Sequence, residues 1–305
     1  MSGKTFIWCT YRTWSFEVLE GLLSHPDFKC SAILTTFDCI WDSTQFEARG
    51  IRVFRLSPES CFKDGSTFLE FLKNHPPSCS FFYGWSWIIP KDFHEKYFSV
   101  TLHPGKLPND KGGSPLQNQI RNGETWSYVN IIQIAKKMDE GDIFAQVKMS
   151  LLGDISDVWA RMTASGIYTT RNFLTSIARG TLKPKKQTEE GTIYKRLKPG
   201  SEELKPTEHT ALQAFNIIRA HNETDPNTYV KKAFYRVGRH RLLCLRADLV
   251  GVVLLEAVDL AGLGKQSPES LYEYSHQVNN GEKCFKLTFK DQKSVFITQT
   301  RLTNL

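Results

Sequence analysis

His103 closes an apolar, strand-forming run, Phe98–His103. It is followed by Pro104-Gly105-Lys106-Leu107-Pro108 and Lys111-Gly112-Gly113, a stretch that cannot continue a sheet. Further on comes the acidic turn Met138-Asp139-Glu140-Gly141-Asp142-Ile143. Taken singly, each has an ordinary reading: a histidine that packs, and a carboxylate turn in solvent. On adjacent loops of one sheet, however, an imidazole and a carboxylate form a proton-transfer pair. The carboxylate holds the ring's tautomer and raises its basicity. No Gly-x-Ser-x-Gly elbow, Gly-x-Gly-x-x-Gly turn or P-loop is present, so serine-hydrolase, dinucleotide and NTPase readings have no support. The seven cysteines are scattered without CxxC pairs and the eight histidines lack metal-ligand spacing, so reduced thiols and no metal are expected.

The elements that must position the pair alternate along the first half. Phe6–Cys9, Cys30–Thr36, Ile51–Phe54, Ser80–Tyr83 and Phe98–His103 read as strands. A helical pattern from Phe16 to Leu23 stops before Pro26, and another over Thr67–Asn74 stops before Pro76-Pro77. Such alternation predicts a mostly parallel, Rossmann-like α/β sheet whose ligands lie beyond the strands' carboxyl ends, near Tyr83-Gly84 and Leu102-His103. A helix capped by Ser114, with Pro115 at its first position, Gln117 completing a capping box and Gly123 at its stop, follows. Tyr128–Ile134 and Ile143–Met149 read as antiparallel edge strands, and a long helix runs from a Ser156 cap to Ala178. Residues 1–182 thus form the catalytic domain, 183–205 a basic linker, and 206–305 a smaller domain of one helix and β structure. Its strands are expected at Tyr229–Val237, Leu242–Leu245, Val252–Leu255, Cys284–Phe289 and Val295–Thr300.

The net charge of +7 is unevenly placed: Arg179–Arg246 holds 15 basic against 7 acidic residues, and the rest is close to balance. A solvated surface accounts for this as well as a phosphate-bearing partner does. No apolar run reaches the ~18 residues a membrane span needs, and the N-terminus has no signal-peptide layout. A cytoplasmic protein with no membrane partner is expected.

The ordered set His103-Pro-Gly-Lys-Leu-Pro-Asn-Asp-Lys-Gly-Gly-Ser-Pro-Leu-Gln117, Ile120-Arg-Asn-Gly-Glu124 and Asp139-Glu-Gly-Asp-Ile143 resembles the folate-dependent formyltransferases. The likeness is to the branch holding methionyl-tRNA formyltransferase and the nucleotide-sugar N-formyltransferases. It extends over about residues 4–222, including Tyr83-Gly84-Trp85-Ser86-Trp87-Ile88-Ile89-Pro90, Gly180-Thr-Leu-Lys-Pro184 with Gln187 and Tyr194, and Ile217-Ile-Arg-Ala220. The resemblance implies formyl transfer from 10-formyltetrahydrofolate, with His103 and Asp139 as catalytic residues. It places Thr101 where the family carries asparagine. It also implies folate contacts from Tyr83, Gly84, Trp85, Ile89 and Asp142, and acceptor contacts from Lys111 and Gly112. A hydroxyl is a shorter oxyanion donor than an amide, so Thr101 leaves open a slower enzyme, a shifted donor, or a folate- or nucleotide-sugar-binding protein without turnover. Release of formate to water is a third possibility.

Two acceptors compete: a nucleotide-linked amino sugar and an aminoacyl-tRNA. The family's tRNA enzymes carry a basic insertion after the second strand. Here Thr35–Gly50 holds three acidic residues and one basic, a composition unsuited to gripping phosphates. The amino sugar is the expected acceptor, and nucleic acid is a partner only under the tRNA alternative. A homodimer is compatible with this reading.

Overall fold

A computed structural model describes residues 3–39, 41–187, 190–222, 232–237, 240–248, 256–259, 268–280 and 283–304. In chain order the elements are β1 (Lys4–Cys9), α1 (Thr13–Leu22), β2 (Phe28–Thr35), α2 (Thr44–Glu47), β3 (Arg52–Arg55), α3 (Thr67–Asn74), β4 (Cys79–Phe82) and α4 (Lys91–Lys96). There follow β5 (Ser99–Pro104), β6 (Lys111–Gly112), α5 (Pro115–Arg121), β7 (Trp126–Gln133), β8 (Ile143–Ser150), α6 (Ile155–Arg179) and β9 (Ile193–Tyr194). The chain ends with α7 (Ala211–Ala220), β10 (Phe234–Val237), β11 (His240–Asp248), β12 (Glu256–Asp259), α8 (Pro268–Asn279), β13 (Lys283–Thr288) and β14 (Ser294–Asn304).

The first unit (residues 1–112, 126–150 and 159–194) is built on a seven-stranded sheet in the order β3-β2-β1-β4-β5-β7-β8. Its first five strands pair in parallel, and β7 and β8 add antiparallel at one edge, as the sequence pattern implied. Strand order reverses beside β1, so the carboxyl ends of β1, β4 and β5 flank the crevice where such sheets bind ligands. All four residues of β4 are buried, as are Ile7, Trp8 and Cys9 of β1, which is why these strands read as continuous apolar runs. Ile7, Leu34, Phe68, Leu72, Phe82 and Phe93 are among the residues of one core cluster.

The second unit holds residues 113–125, 151–158 and 195–305. Its sheet runs β10-β11-β14-β13-β12, antiparallel except for the parallel β12–β13 pair. Ala214, Ile217 and Ile218 of α7 join Leu242, Phe285, Leu287 and Ile297 in its core. The expected strands at Leu242–Leu245, Cys284–Phe289 and Val295–Thr300 lie within β11, β13 and β14, the second running one residue past its strand. The expected strand Val252–Leu255, and 229–231 of another, lie outside the described residues.

Three local expectations are corrected. Ser114 precedes α5 but has φ +49° and makes no side-chain cap; its Oγ accepts the Leu197 N–H instead, so no capping box with Gln117 forms. Ser156 lies inside α6, and its hydroxyl donates to the Asn222 carbonyl. The stretch 183–194 is not a free linker: Lys185 exchanges two 2.8 Å backbone bonds with Ile143, and β9 pairs in parallel with β6. Among the described residues no helix is long and apolar enough to cross a membrane, and no cluster of His, Cys, Asp or Glu could hold a metal ion.

Candidate active site

Strand β5 delivers Thr101 and His103 to one face, two residues apart. Across the ladder His103 is paired with Asn130 of β7. Asn130 is fully buried; its amide donates to the carbonyls of His103 (2.9 Å) and Gly105 (2.7 Å), while its oxygen accepts from Gln146 (2.7 Å). That network sets the backbone at which the strand turns away. The loop then folds back, and Asp110, at φ +60°, presents its carbonyl to His103 Nε2 at 2.7 Å. A carbonyl oxygen only accepts, so the Nε2 proton is the donor. Asp110 is itself held, its N–H donating to Thr192 Oγ1 at 3.2 Å and its carboxylate accepting the Lys106 N–H at 3.1 Å. Gly105 must be glycine here: a Cβ would lie 2.8 Å from both the Asp110 oxygen and His103 Nε2.

Asp139 arrives from the loop between β7 and β8, in the left-handed conformation at φ +58°. A non-glycine residue held there stores local strain, which surrounding contacts must over-determine. They do. Its Oδ2 accepts the Gly112 N–H at 2.8 Å and lies 3.4 Å from His103 Nδ1, with both side chains largely buried. Gly112, at φ +92°, has no room for a Cβ, which would meet the Tyr194 carbonyl at 2.3 Å. With the ring proton on Nε2, the Nδ1 lone pair faces a carboxylate. A proton placed between them would answer both, so the arrangement can take up and return a single proton.

Lys111 does not offer an ammonium to a phosphate. It is 1% exposed, donates to the Glu190 carbonyl at 2.6 Å and lies 3.7 Å from the Glu140 carboxylate. It ties the loops at 111, 140 and 190 together. Thr101 is likewise engaged: its hydroxyl donates to the Phe82 carbonyl at 2.7 Å. With that proton committed, Thr101→Val should cost about 1 kcal/mol of stability and leave turnover near wild type. A fall of roughly 10²-fold in kcat would instead make Thr101 an oxyanion donor.

Thr101, His103, Asp110, Lys111, Asn130 and Asp139 lie within one matched stretch. Residues 53–163 match the model of the formyl transferase family. Over this stretch the chain is similar to the formyl transferases. In sequence, 137 residues are 31% identical to the methionyl-tRNA formyltransferase of Lactobacillus delbrueckii subsp. bulgaricus, covering 44% of this chain and 43% of that one. The match thus spans less than half the length of that relative. In structure, methionyl-tRNA formyltransferase from Clostridium thermocellum shares the fold with a TM-score of 0.61 at 23% identity, covering 81% of this chain and 94% of its own. HypX from Aquifex aeolicus in complex with tetrahydrofolic acid aligns with a TM-score of 0.60 at 17% identity, over 97% of this chain and 44% of its own.

Within the matched stretch, residues 83–90 divide. Tyr83 belongs to the core: it is fully buried, its hydroxyl pairs with Thr170 at 2.9 Å, and burial pushes its pKa well up. Its ring packs 4.7 Å from Trp8, so it cannot face a ligand. Gly84, at φ +70°, turns the chain out of the sheet, and its Cβ would strike Arg12. Trp85 stacks edge-on against Trp87 (5.1 Å) and Phe82, and its indole N–H is buried with no partner among the described residues. Ile89 is half-buried against the core, and Ile88 is 92% exposed. An apolar ring surface with one unanswered donor suits a flat heteroaromatic ligand. Asp142 takes part through its carbonyl, which accepts the Gln133 N–H at 2.9 Å. Thiol chemistry is not available from the buried cysteines of this unit: desolvation raises Cys9 and Cys79 strongly and pushes Cys61 up to about 12.

Asn130, Asp110, Thr192 and Gln187 are absent from the sequence-derived site. Asn130, Thr192 and Gln187 each act on backbone groups far away in sequence, whereas Asp110 acts through its own carbonyl on the His103 ring seven residues back; Asp110 and Gln187 lay in family-like stretches but carried no sign of these contacts.

Proposed function

We propose that this chain is a folate-dependent N-formyltransferase that moves the formyl group of 10-formyltetrahydrofolate onto a primary amine. The observation that carries the reading is the buried His103–Asp139 pair, each member held by its own loop within the stretch similar to the formyl transferases. When bound, 10-formyltetrahydrofolate supplies the activated formyl carbon and a nitrogen that departs once protonated. The chain's part is to manage one proton. Attack by the amine forms the C–N bond and leaves an ammonium; the His103 Nδ1–Asp139 pair takes that proton and returns it to the departing nitrogen. His103 Nε2 stays tied to the Asp110 carbonyl and keeps the ring from turning. Trp85, Ile89 and the backbone at Gly84 would hold the pterin ring.

For the acceptor we favour a nucleotide-linked amino sugar. The loop after β2 carries Asp38 and Asp42, and Arg55 folds it back by donating to the carbonyls of Cys39 (3.3 Å) and Trp41 (3.2 Å). It is an acidic, retracted loop, unsuited to a tRNA acceptor stem. Phosphate contacts move from buried Lys111 to the exposed Lys183, Lys185 and Lys186. The second reading, methionyl-tRNA, is favoured by the names of the relatives in sequence and fold.

Incubation with 10-formyltetrahydrofolate and either nucleoside-diphosphate-linked amino sugars or methionyl-tRNA, followed by mass spectrometry, decides between them. The expected product is the formamido sugar, with the bare amino sugar a far poorer substrate. Formylated methionyl-tRNA, with binding that weakens steeply in salt, would install the second reading. Formate release without either product would sink the transferase.

A further inference from the structure

We propose that Gln187 is a positioning residue for the proton-transfer pair, acting through Asp139 from the strap that follows α6; the inference rests on the reading of His103 and Asp139 given above. Asp139 occupies a conformation that a side chain rarely adopts, and something must hold it there. Gln187 does so from 48 residues away in sequence. Its amide nitrogen donates to the carbonyl of Asp139 itself at 2.8 Å and to that of Gly141 at 2.7 Å. Both N–H groups are thus used on the one turn that carries the carboxylate. The amide's orientation is dictated, because reversing it would set its oxygen against two carbonyl oxygens. Its own Oε1 is buried with no partner among the described residues, so the side chain is kept for what its nitrogen does.

The same strap holds the other half of the pair. Lys185 bonds the backbone of Ile143 just past the turn, Thr192 accepts the N–H of Asp110, and Ile193 pairs with Lys111. Asp110 in turn accepts the His103 Nε2 proton. His103 and Asp139 therefore reach each other from different loops while one segment, outside the matched stretch 53–163, sets both. Gln187 is the member that touches Asp139 directly, and its loss should let the carboxylate drift from Nδ1. A displacement of about 1 Å at a reacting group costs on the order of 10² in rate.

The test uses Gln187→Leu and the same-sized Gln187→Glu in the full chain, beside Asp139→Asn. The first readout needs no substrate: ¹⁵N resonances of the His103 ring, assigned by their loss in His103→Gln. Both Gln187 variants should move these resonances as Asp139→Asn does, in a chain that circular dichroism shows to be folded. The second is steady-state transfer from 10-formyltetrahydrofolate to whichever of the nucleoside-diphosphate-linked amino sugars and methionyl-tRNA the wild type formylates. There kcat should fall roughly 10²-fold with KM unchanged, and Gln187→Leu should add nothing in the Asp139→Asn background. Ring resonances that stay at wild-type positions in the Gln187 variants but move in Asp139→Asn would overturn the proposal and leave the pair standing. An equal fall in kcat with and without Asp139 would also overturn it, as a merely structural role. If Asp139→Asn itself changes neither resonances nor rate, the reading of the pair fails first.

Discussion

His103→Gln and Asp139→Asn should each lower formyl transfer by roughly 10²–10⁴-fold, the loss falling on kcat, while the chain stays folded. Both substitutions keep the shape and most of the hydrogen bonding. A glutamine at 103 can still donate toward the Asp110 carbonyl that now takes the Nε2 proton, but it has no nitrogen that accepts. An asparagine at 139 can still accept the Gly112 N–H, but it brings no charge to the ring nitrogen 3.4 Å away. Because the two act on one proton, the double variant should be little worse than the poorer single. Steady-state kinetics with the true acceptor, with circular dichroism as the check on folding, makes the measurement. A variant of either residue turning over near the wild-type rate would place the chemistry elsewhere in the domain.

The pair could be read in the sequence because both members sit in punctuated stretches: a histidine where an apolar run meets Pro-Gly, and an acidic turn around a glycine. The strands of the first sheet were equally legible, since burial on both faces writes itself as unbroken apolar runs such as Cys79–Phe82. What holds the pair was not legible. Asn130, Thr192 and Gln187 bond backbone groups, which leave no pattern in residue type, across spans fixed only by the fold, and Asp110 acts through its own carbonyl, which its side chain does not advertise. Lys111 shows the same limit from the other side. Beside two glycines it has the look of a mobile cation, but pairing with Ile193 buries it against the Glu190 carbonyl.

Two identical local patterns make the point physically. Ser114-Pro-Leu-Gln117 and Thr210-Ala-Leu-Gln213 have the same capping-box spacing. At Thr210 the box forms in full, with hydroxyl to the Gln213 N–H and Gln213 side chain to the Thr210 N–H. At Ser114 a left-handed backbone turns the hydroxyl toward Leu197, and the box is lost. Spacing offers the partners, and the backbone conformation set by distant contacts decides whether they meet. Helix α8 escaped for a related reason: Pro268–Asn279 is polar and lies among β-like segments, with little apolar periodicity to mark it.

Gly141→Ala should be a severely damaging single-methyl change in the site, because the group it would strike is backbone. A Cβ at 141 would lie 1.8 Å from the Gln133 carbonyl oxygen and 2.7 Å from its carbon. Gln133 ends β7 and cannot yield without breaking its bond to the Asp142 carbonyl, so the turn itself must lift. Lifting it pulls the Gly141 carbonyl from Gln187 and carries Asp139, two residues back, away from His103. The expected cost is about 1–3 kcal/mol of stability together with a fall of roughly 10² in kcat. Met138→Ala is the control: the side chain is 69% exposed on the same loop, and its loss should change neither quantity. Thermal melts and single-turnover rates on the two variants separate a packing defect from a displaced carboxylate. If Gly141→Ala lost stability but kept its rate, the turn would not be what aims Asp139; if it kept both, β7 and the turn would be free to part, and the proton-transfer pair would rest on Gly112 and Gln187 alone.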